Sequence, residues 1–598
     1  MEKQGVVQRS ARSTTSSPSG DKDMMSYNDM DLEGSRIRGI ETSAETSLHR
    51  GLKARHITMI AIGGAIGTGL IIGTGKALAQ AGPGSIFISY TLVGMIVYLV
   101  MTALGEMAAW LPMSAGFTGY ASRFCDPSLG FALGWTTRWM IKTNPSISYS
   151  YWIKYIIVTP NQLTAAALVI QFWLPRDQVN PGVWIAIFLV AIIFINYFGI
   201  QFFGEFEFWL SSFKVVVIIG VILLSLIIAC GGADGDPRGF RYWRDPGAFV
   251  PYIATGSWGQ FLGFWSTMVT ATFAYLSTEL VGVTVGEAQN PRKTIPRAIK
   301  LTFYRIVIFY CVSILLIGMC VPYNAKELVF AVNPDKDPNK KVGANTSNAS
   351  ASPFVVAIKL AHIPALDHIL NACILLFVFS AANSDLYIAS RTLYGLSSDG
   401  AAPAIFRRTN RKGVPLYTLF TSAAFGLLAF LNVSDDSKQV FTYFVNLTTI
   451  FGLLTWISIL VTHIWFVRAR RAQNLTNDML PYSAPLGVWG SYVALFMCIL
   501  IALTKNFDVF TGDWNTKYAT FITGYLGIPI YLILIFGHKA WTKSKGVRPH
   551  ECDFYTGKDL IDREEEEFLA AEEAKRAATP ETRQGLARFY RRFVSWLF

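Results

Sequence analysis

Four glycines crowd the middle of one long apolar stretch near the start of the chain. They are Gly63, Gly64, Gly67 and Gly69, with Thr68 between the last two. Each glycine costs a helix interior about 1 kcal/mol relative to alanine, so this density predicts an unwound segment; close helix packing through small residues is the alternative. Bare backbone N–H groups ahead of a half-helix N-terminus would form a site suited to a carboxylate.

A later apolar stretch carries polar residues at its centre. Ser277, Thr278 and Glu279 lie there, followed by Gly282 and Gly286. An ionisable side chain inside a membrane-spanning segment indicates a functional site by default. Paired interruptions at matching positions of two halves are typical of an inverted-repeat transporter with a binding site near the bilayer midplane.

Four further ionisable residues fall within apolar stretches. Lys214 could occupy a coupling-cation site, or its ammonium could reach the membrane surface along its apolar stem. Glu106 lies at the end of the second stretch, and we expect Asp385 and His463 to serve packing or interface roles. No Cys/His spacing suggests a metal site, and no nucleophile–base pair suggests an enzyme, so neither a metal nor a cofactor is expected.

Twelve apolar stretches are long enough to carry these residues as membrane-spanning helices, since a span needs about 20 residues. Backbone groups in lipid must pair internally, and the stretches are too uniformly apolar for barrel strands. They lie near 57–79, 84–110, 151–174, 182–198, 208–230, 261–285, 300–322, 366–390, 414–433, 440–467, 486–504 and 518–538. The sequence therefore predicts an all-α polytopic membrane protein with 12 transmembrane helices, in which spans 1–5 and 6–10 form a 5+5 inverted repeat and two extra helices follow.

The composition fits this architecture. Of 598 residues, 52% are apolar and 15% are charged, whereas an ordinary soluble domain has roughly 25% charged residues. This composition excludes disordered, collagen-like and disulfide-scaffold classes. The net charge is +12, but the basic residues lie in short loops between apolar stretches, which indicates membrane topology and not nucleic-acid binding.

The distribution of lysine and arginine predicts the orientation. With a cytoplasmic N-terminus, the loops after spans 6, 8 and 10 are basic and the outer loops mix charges, so both termini are expected in the cytoplasm. Residues 1–50 lack a signal-peptide core and are interpreted as a disordered cytosolic tail. Residues 51–541 form the transmembrane domain, and residues 542–598 form a cytosolic C-terminal tail that contains a solvated helix near 562–578.

Several segments resemble the fungal amino-acid permeases, the YAT family of the amino acid–polyamine–organocation superfamily. They include GLKARHITMIAIGGAIGTGLIIGTGKALAQAGP, FAYLSTELVGVTVGEAQNPRKTIPRAI and NSDLYIASRTLYGL. FRYWRDPGAF, ASPFVVAIKLA and ALTKNFDVF are most similar to the dicarboxylic amino-acid permeases of that family. The resemblance implies a LeuT-like fold and proton-coupled uptake at the plasma membrane.

The resemblance also implies a substrate site at the two helix breaks. Backbone N–H groups and the Thr68 hydroxyl would meet the α-carboxylate of an amino acid, and carbonyl groups near Ile62 and Phe273 would meet its α-ammonium. The Phe273 ring would close over the ligand. The substrate-binding residues implied are Ile62, Ala65, Ile66, Gly67, Thr68, Gly69, Phe273 and Ser277.

The resemblance to the permease family also assigns residues to ion coupling and gating. Glu279 is similar to the family's span 6 glutamate, which couples ligand occupancy to gating. Lys214 is similar to a span 5 lysine that replaces the second sodium ion of sodium-driven relatives, and Glu106 completes the coupling and gating set. We expect Glu279→Gln to spare folding and to abolish coupled uptake.

Two features depart from the family pattern. Ser277 stands where relatives usually carry glycine, which narrows the pocket or adds a hydrogen bond to substrate. Residues 136–150 intervene before span 3 and are either a real insertion or a gene-model error. In mid-membrane, Arg138 and Lys142 would each cost about 2.5–3.5 kcal/mol, so span 3 is expected to start at Tyr151.

These patterns predict proton-coupled uptake of amino acids across the plasma membrane, with glutamate and aspartate among the substrates. The alternatives are a broad-range amino-acid permease, and a non-transporting sensor or inactive paralogue because of the insertion. The expected partners are the amino-acid substrate, protons and the lipid bilayer. Lys22 in the N-terminal tail is a candidate ubiquitin acceptor, which would add ubiquitin ligases or endocytic adaptors as partners of the tails.

Overall fold

The computed structural model describes residues 67–577, with gaps at 114–115, 134–149, 175, 177, 234, 277, 280–290, 327, 330–351, 399–401, 411–412, 434–436 and 512–513. The N-terminal tail and residues 136–149 of the predicted insertion lie outside the described residues. The same holds for four of the predicted substrate-binding residues, which are Ile62, Ala65, Ile66 and Ser277.

In the described residues, the regular elements are helices. A π-helical turn at Gly69–Gly73 leads into the first α-helix. Further π-helical stretches lie at Trp243–Gly247 and at Ile306–Val312, and the latter joins α9 to α10. The α-helices are α1 Thr74–Trp110, α2 Gly116–Phe124, α3 Pro127–Leu133, α4 Ser150–Ile170, α5 Pro181–Tyr197, α6 Ile200–Ala229, α7 Gly256–Ser266, α8 Met268–Tyr275, α9 Pro291–Arg305, α10 Ser313–Cys320, α11 Pro353–Leu360, α12 Leu366–Ser398, α13 Leu416–Phe425, α14 Ser437–Ala472, α15 Gly487–Thr504, α16 Trp514–Tyr525, α17 Gly527–Thr542 and α18 Lys558–Ala577.

Eight helical segments in the described part of the chain are long and apolar enough to cross a membrane. They are Gly69–Trp110, Tyr151–Ile170, Phe202–Ala229, Thr294–Cys320, Leu366–Ser397, Val440–Ala472, Gly487–Phe510 and Lys517–Thr542. Pro181–Tyr197 and Leu416–Leu431 are shorter apolar helices. The predicted all-helical membrane class is therefore confirmed, while the count of twelve spans stays a prediction.

The segment Gly69–Trp110 is too long for one crossing. Its 42 residues would extend roughly 63 Å at 1.5 Å per residue, about twice the thickness of the hydrocarbon core. The segment is interrupted at Gly82, which has φ 84° and ψ 168° and precedes Pro83. This interruption falls between the predicted spans 57–79 and 84–110.

Helix α4 lies at the centre of the bundle. It packs against α12, α14 and α5, and 89% of its apolar window is buried, compared with 17% for Lys517–Thr542. Because α4 faces protein and not lipid, it can carry polar side chains inside an apolar sequence. The helix begins at Ser150, one residue before the predicted start.

Part of the predicted C-terminal tail packs against the bundle. The Phe554 ring is fully buried and lies 5.4 Å from the rings of both Phe124 and Phe466. The Trp110 Nε1 group donates to the Phe554 carbonyl at 3.1 Å. The segment that follows α17 is therefore attached to the ends of α1, α2 and α14.

Charged contacts extend this attachment into α18. Arg292 at the start of α9 contacts Asp562 at 2.5 Å and Glu565 at 2.9 Å. The helix predicted as solvated near 562–578 thus begins at Lys558 and is anchored by its N-terminal part.

Candidate functional site

A helix begins inside the first predicted span. Gly67 lies in a bend, helical structure starts at Thr68, and the π-helical turn Gly69–Gly73 continues into α1. The first N–H groups of a helix have no partner within it and carry partial positive charge. Thr68 is only 1% exposed, so this helix start lies in the interior of the protein.

A second helix ends inside the sixth predicted span. Helix α8 stops at Tyr275, and Leu276 adopts an extended conformation with φ −58° and ψ 150°. Some carbonyl groups of its last turn have local partners: Ala274 accepts from the Tyr310 hydroxyl at 2.9 Å, and Tyr275 accepts from the Thr278 hydroxyl at 3.0 Å. The Phe273 side chain is 7% exposed.

The two helix ends touch each other. A Cβ atom added at Gly69 would overlap the backbone of Ala274, so only glycine permits this approach. The Tyr90 hydroxyl donates to the Gly69 carbonyl at 3.3 Å, and the Tyr275 hydroxyl donates to the Tyr90 carbonyl at 2.9 Å. A helix start and a helix end therefore meet, which suits a ligand with one negative and one positive group.

The Thr68 hydroxyl is engaged by α4. It donates to Gln162 Oε1 at 2.9 Å, and both side chains are buried. The hydroxyl proton predicted to meet a substrate carboxylate is thus held by Gln162 in this state of the molecule.

Glu279 forms a fully buried ion pair with Lys154 of α4. Trp456 Nε1 of α14 donates to the second carboxylate oxygen of Glu279 at 3.3 Å. The predicted gating glutamate therefore joins three parts of the bundle: the segment after α8, α4 and α14.

Lys214 lies beside a second buried carboxylate. Its ammonium is 3.8 Å from Glu207 Oε1 on the same helix, α6. The same oxygen accepts from the Ser380 hydroxyl of α12 at 2.6 Å and from the Ser211 hydroxyl at 3.2 Å. Lys214 is therefore buried inside the protein and does not extend to a membrane surface.

Asp385 interacts electrostatically with both of these ion pairs. It is 3% exposed, and its carboxylate interacts with Lys154, Lys214 and Gln162. A packing or interface role is expected for Asp385 from the sequence. The structure instead places it in a buried charge cluster with Lys154, Glu279, Lys214 and Glu207, because α12 packs along both α4 and α6.

Glu106 lies in a separate cluster. Its Oε2 accepts from the Ala484 N–H at 2.8 Å and lies 3.4 Å from His463 Nε2, while its Oε1 lies 3.6 Å from Arg470. His463 also hydrogen-bonds Ser491 at 2.8 Å. The structure therefore places Glu106 and His463 at the contact between the end of α1, α14 and the start of α15, and not with Glu279 and Lys214.

Three residues of the buried charge cluster were missed from the sequence. Lys154 lies three residues inside the predicted third span, and Gln162 lies eight residues further on. Glu207 precedes the predicted fifth span by one residue. Its spacing of seven from Lys214 corresponds to two helical turns, which is the signal that could have found the pair.

Several buried polar atoms around these helices have no hydrogen-bond partner among the described residues. Buried polar groups are normally satisfied by protein or by water, so these atoms are available to water or to a polar ligand. They are both amide atoms of Asn161, Thr272 Oγ1, Ser384 Oγ, Glu207 Oε2 and Asp385 Oδ2. The described residues contain no group of three or more metal-ligating side chains.

A helix that starts and a helix that ends inside an apolar bundle, with charges buried nearby, are typical of a membrane transporter. A mutant of the manganese transporter from Eremococcus coleocola has a similar fold, with a TM-score of 0.50 and 13% identity over 82% of this chain and 93% of that one. At this identity the similarity concerns the fold alone.

The chain belongs to the amino acid permease family, whose model matches residues 56–549. The dicarboxylic amino acid permease of Saccharomyces cerevisiae is 48% identical over 100% of this chain and 92% of its own length. The proline-specific permease of Emericella nidulans is 40% identical over 88% and 91% of the two chains, and the lysine-specific permease of Saccharomyces cerevisiae is 40% identical over 83% and 76%. These relatives are permeases and not enzymes, and the predicted family is confirmed.

Proposed function

We propose that this permease imports glutamate and aspartate together with protons across the plasma membrane. The observation that carries the proposal is the contact between the helix start at Gly69 and the helix end at Ala274, since these ends offer opposite partial charges to an amino acid. The preference for acidic substrates is supported by the 48% identity to a dicarboxylic amino acid permease along the whole chain.

The proposal includes a LeuT-like arrangement of twelve spans with both termini in the cytoplasm. The count of twelve is supported if Gly69–Trp110 is divided at Gly82 and if the two shorter apolar helices and the pair α7–α8 each count as one crossing. An even number puts both termini on one side, and the basic loops favour the cytoplasm.

In this proposal the helix start binds the α-carboxylate of the substrate. N–H groups around Gly67, Thr68 and Gly69 point out of the first helical turn, where an anion is stabilised. A carbonyl near Phe273 receives the α-ammonium, and the Phe273 ring covers the ligand. The remaining residues assigned to the site lie outside the described residues and stay predictions: Ile62, Ala65, Ile66 and Ser277.

Protons are needed for energetic reasons. An acidic amino acid brings one net negative charge, and moving it inward against an inside-negative potential costs about 2.3 kcal/mol per 100 mV. One proton makes the cycle electroneutral, and two make it electrogenic and more strongly driven. The buried carboxylates Glu207, Glu279 and Asp385 supply titratable groups inside the bundle.

Uptake of labelled glutamate into proteoliposomes tests the proposal. Each pH unit of an inward proton gradient supplies about 1.4 kcal/mol per co-transported proton. We therefore expect such a gradient to stimulate glutamate uptake about tenfold or more. A competition panel should show displacement by aspartate and not by proline or lysine. Uptake that is equally fast without the gradient would remove proton coupling, and equal displacement by all amino acids would show a broad-range permease.

The proposed plasma-membrane location and tail orientation are tested separately. Fluorescent fusions show in which cellular membrane the permease resides. Antibody access to terminal tags in intact and in permeabilised cells shows on which side of that membrane the termini lie. Lys22 lies outside the described residues, so its modification by a ubiquitin ligase stays a prediction.

A further inference from the structure

Asp385 occupies a central position among the buried charges. Its carboxylate interacts electrostatically with Lys154, which pairs with Glu279, and with both Lys214 and Glu207 of the second pair. The Asp385 carboxylate is therefore close to the cations Lys154 and Lys214, but each of these cations is already the ion-pair partner of another carboxylate.

A side-chain path connects Asp385 to the proposed substrate site. The Asp385 carboxylate interacts with Gln162, and Gln162 accepts the hydrogen bond from Thr68. Thr68 lies in the first turn of the helix whose N–H groups are assigned to the substrate. Thr68 at the helix start is thus connected to Asp385 through one intervening side chain, Gln162.

The groups that interact electrostatically with Asp385 lie on α4 and α6, two of the helices packed against α12. Helix α4 contributes Lys154, Gln162 and the hydroxyls of Tyr151 and Tyr155, and α6 contributes Glu207 and Lys214. Arg305 of α9 lies within electrostatic range of Glu279. With every group ionised, the carboxylates of Glu207, Glu279 and Asp385 balance the cations of Lys154, Lys214 and Arg305.

A dicarboxylic amino acid disturbs this balance, because it adds one negative charge to a poorly solvated region. Protonation of one carboxylate restores neutrality. The Glu279 carboxylate forms an ion pair with Lys154 and accepts a hydrogen bond from the Trp456 N–H. Glu207 Oε1 accepts hydrogen bonds from two serine hydroxyls. Glu207 Oε2 and Asp385 Oδ2 are both buried without a hydrogen-bond partner in the described part of the chain. Glu207 lies 3.8 Å from the Lys214 ammonium, whereas Asp385 forms no ion pair with the described residues, so the charged form of Asp385 is the least supported.

We propose that Asp385 is the residue that carries the co-transported proton. A proton from the external solution binds Asp385 Oδ2 when substrate occupies the site, and the same O–H bond releases the proton to water on the cytoplasmic side after substrate leaves. This inference rests on the proposed function, because it assumes proton-coupled transport.

The test uses the full-length chain in proteoliposomes and compares Asp385→Asn with Asp367→Asn. Asp367 is an acidic residue of the same helix, but it lies in the first turn, whereas Asp385 lies near the middle. Two quantities are measured: glutamate counterflow without a proton gradient, which needs no net proton movement, and uptake driven by an inward proton gradient, with internal pH recorded by a dye.

In Asp385→Asn, the rate of glutamate counterflow should stay within about threefold of wild type. The proton gradient should stimulate uptake by this variant less than about twofold, and glutamate uptake should no longer be accompanied by proton movement. Asp367→Asn should behave as wild type, and Asp385→Glu should restore the response to the gradient.

Wild-type gradient dependence in Asp385→Asn would overturn the proposal while leaving proton coupling intact. Loss of counterflow in both Asp385→Asn and Asp385→Glu would also overturn it, because the residue would then be structural. A wild-type protein without gradient dependence would instead overturn the proposed function itself.

Discussion

At the scale of single residues, the Thr68 hydroxyl links the helix start to α4 through Gln162. Thr68→Val keeps the shape of the side chain and removes the hydrogen bond, a loss of about 0.5–1.5 kcal/mol for a neutral pair. We expect KM for glutamate to rise by about twofold to tenfold. Uptake kinetics measure the effect, with Thr68→Ser as the control that retains the hydroxyl; equal KM values for the two variants would contradict the role of this hydrogen bond.

The Glu279–Lys154 pair changes what is expected of Glu279→Gln. From the sequence, this variant should spare folding, but both partners are fully buried. Removing the Glu279 charge deprives the buried Lys154 ammonium of its ion-pair partner, and breaking a buried pair in this way typically costs about 3–5 kcal/mol. We expect a lower midpoint of thermal unfolding for Glu279→Gln and substantial recovery in the double variant with Lys154→Met.

The matched control for this experiment is the exposed pair Arg548–Glu551. Breaking it by Glu551→Gln should change stability by about 0–1 kcal/mol, the usual range for surface ion pairs. A thermal midpoint of Glu279→Gln equal to that of the control would show that the buried pair does not stabilise the protein.

At the scale of helices, the contact between Gly69 and Ala274 determines how the two broken spans fit. Gly69→Ala forces the helix start away from α8, because the added methyl group would meet backbone and not a movable side chain. We expect this variant to lose most glutamate uptake. In Gly220→Ala on α6, nothing lies within 4 Å of the added atom, so uptake should persist and stability should rise by about 0.4–1 kcal/mol. Equal uptake in both variants would contradict the close approach.

The helices themselves could be predicted from the sequence, and most of their contacts could not. Hydropathy predicts a span at 182–198, and the structure has a 17-residue helix, Pro181–Tyr197, because an uninterrupted run of apolar residues has few other stable environments. Lys154 and Glu279, in contrast, are 125 residues apart. Nothing local in either sequence segment specifies its partner, so the cluster around Asp385 required the packed structure.

At the scale of the whole molecule, the segment after α17 holds the ends of several helices together. Arg123 of α2 donates to the carbonyl oxygens of Asp553 and Thr556 at 2.8 and 2.7 Å and lies 3.2 Å from the Asp553 carboxylate. The sequence indicated only a polar tail here, because a short segment with one buried aromatic ring has no periodic signal.

This attachment should depend on pH. Burial alone would raise the pKa of the Asp553 carboxyl, but Arg123 and the N–H groups of Thr556 and Tyr555 outweigh burial, and the pKa lies below its usual value. A lowered folded-state pKa stabilises the contact above the unfolded value of about 3.9, and the stabilisation is lost as pH falls through the folded pKa. The protection of the amides of residues 546–562, measured as hydrogen exchange relative to the intrinsic rate at each pH, should therefore fall in acid. Asp553→Asn should remove much of this pH dependence, and protection that does not change with pH would contradict the ion pair.

The central claim is that an amino acid binds where the helix that starts at Thr68 meets the helix that ends at Tyr275. An experimental structure of the permease with glutamate bound tests it most directly. We predict density for the α-carboxylate within hydrogen-bonding distance of backbone N–H groups at Gly67–Gly69, with the α-ammonium toward the end of α8. Glutamate bound elsewhere, or two helices that continue unbroken through these positions, would contradict the account.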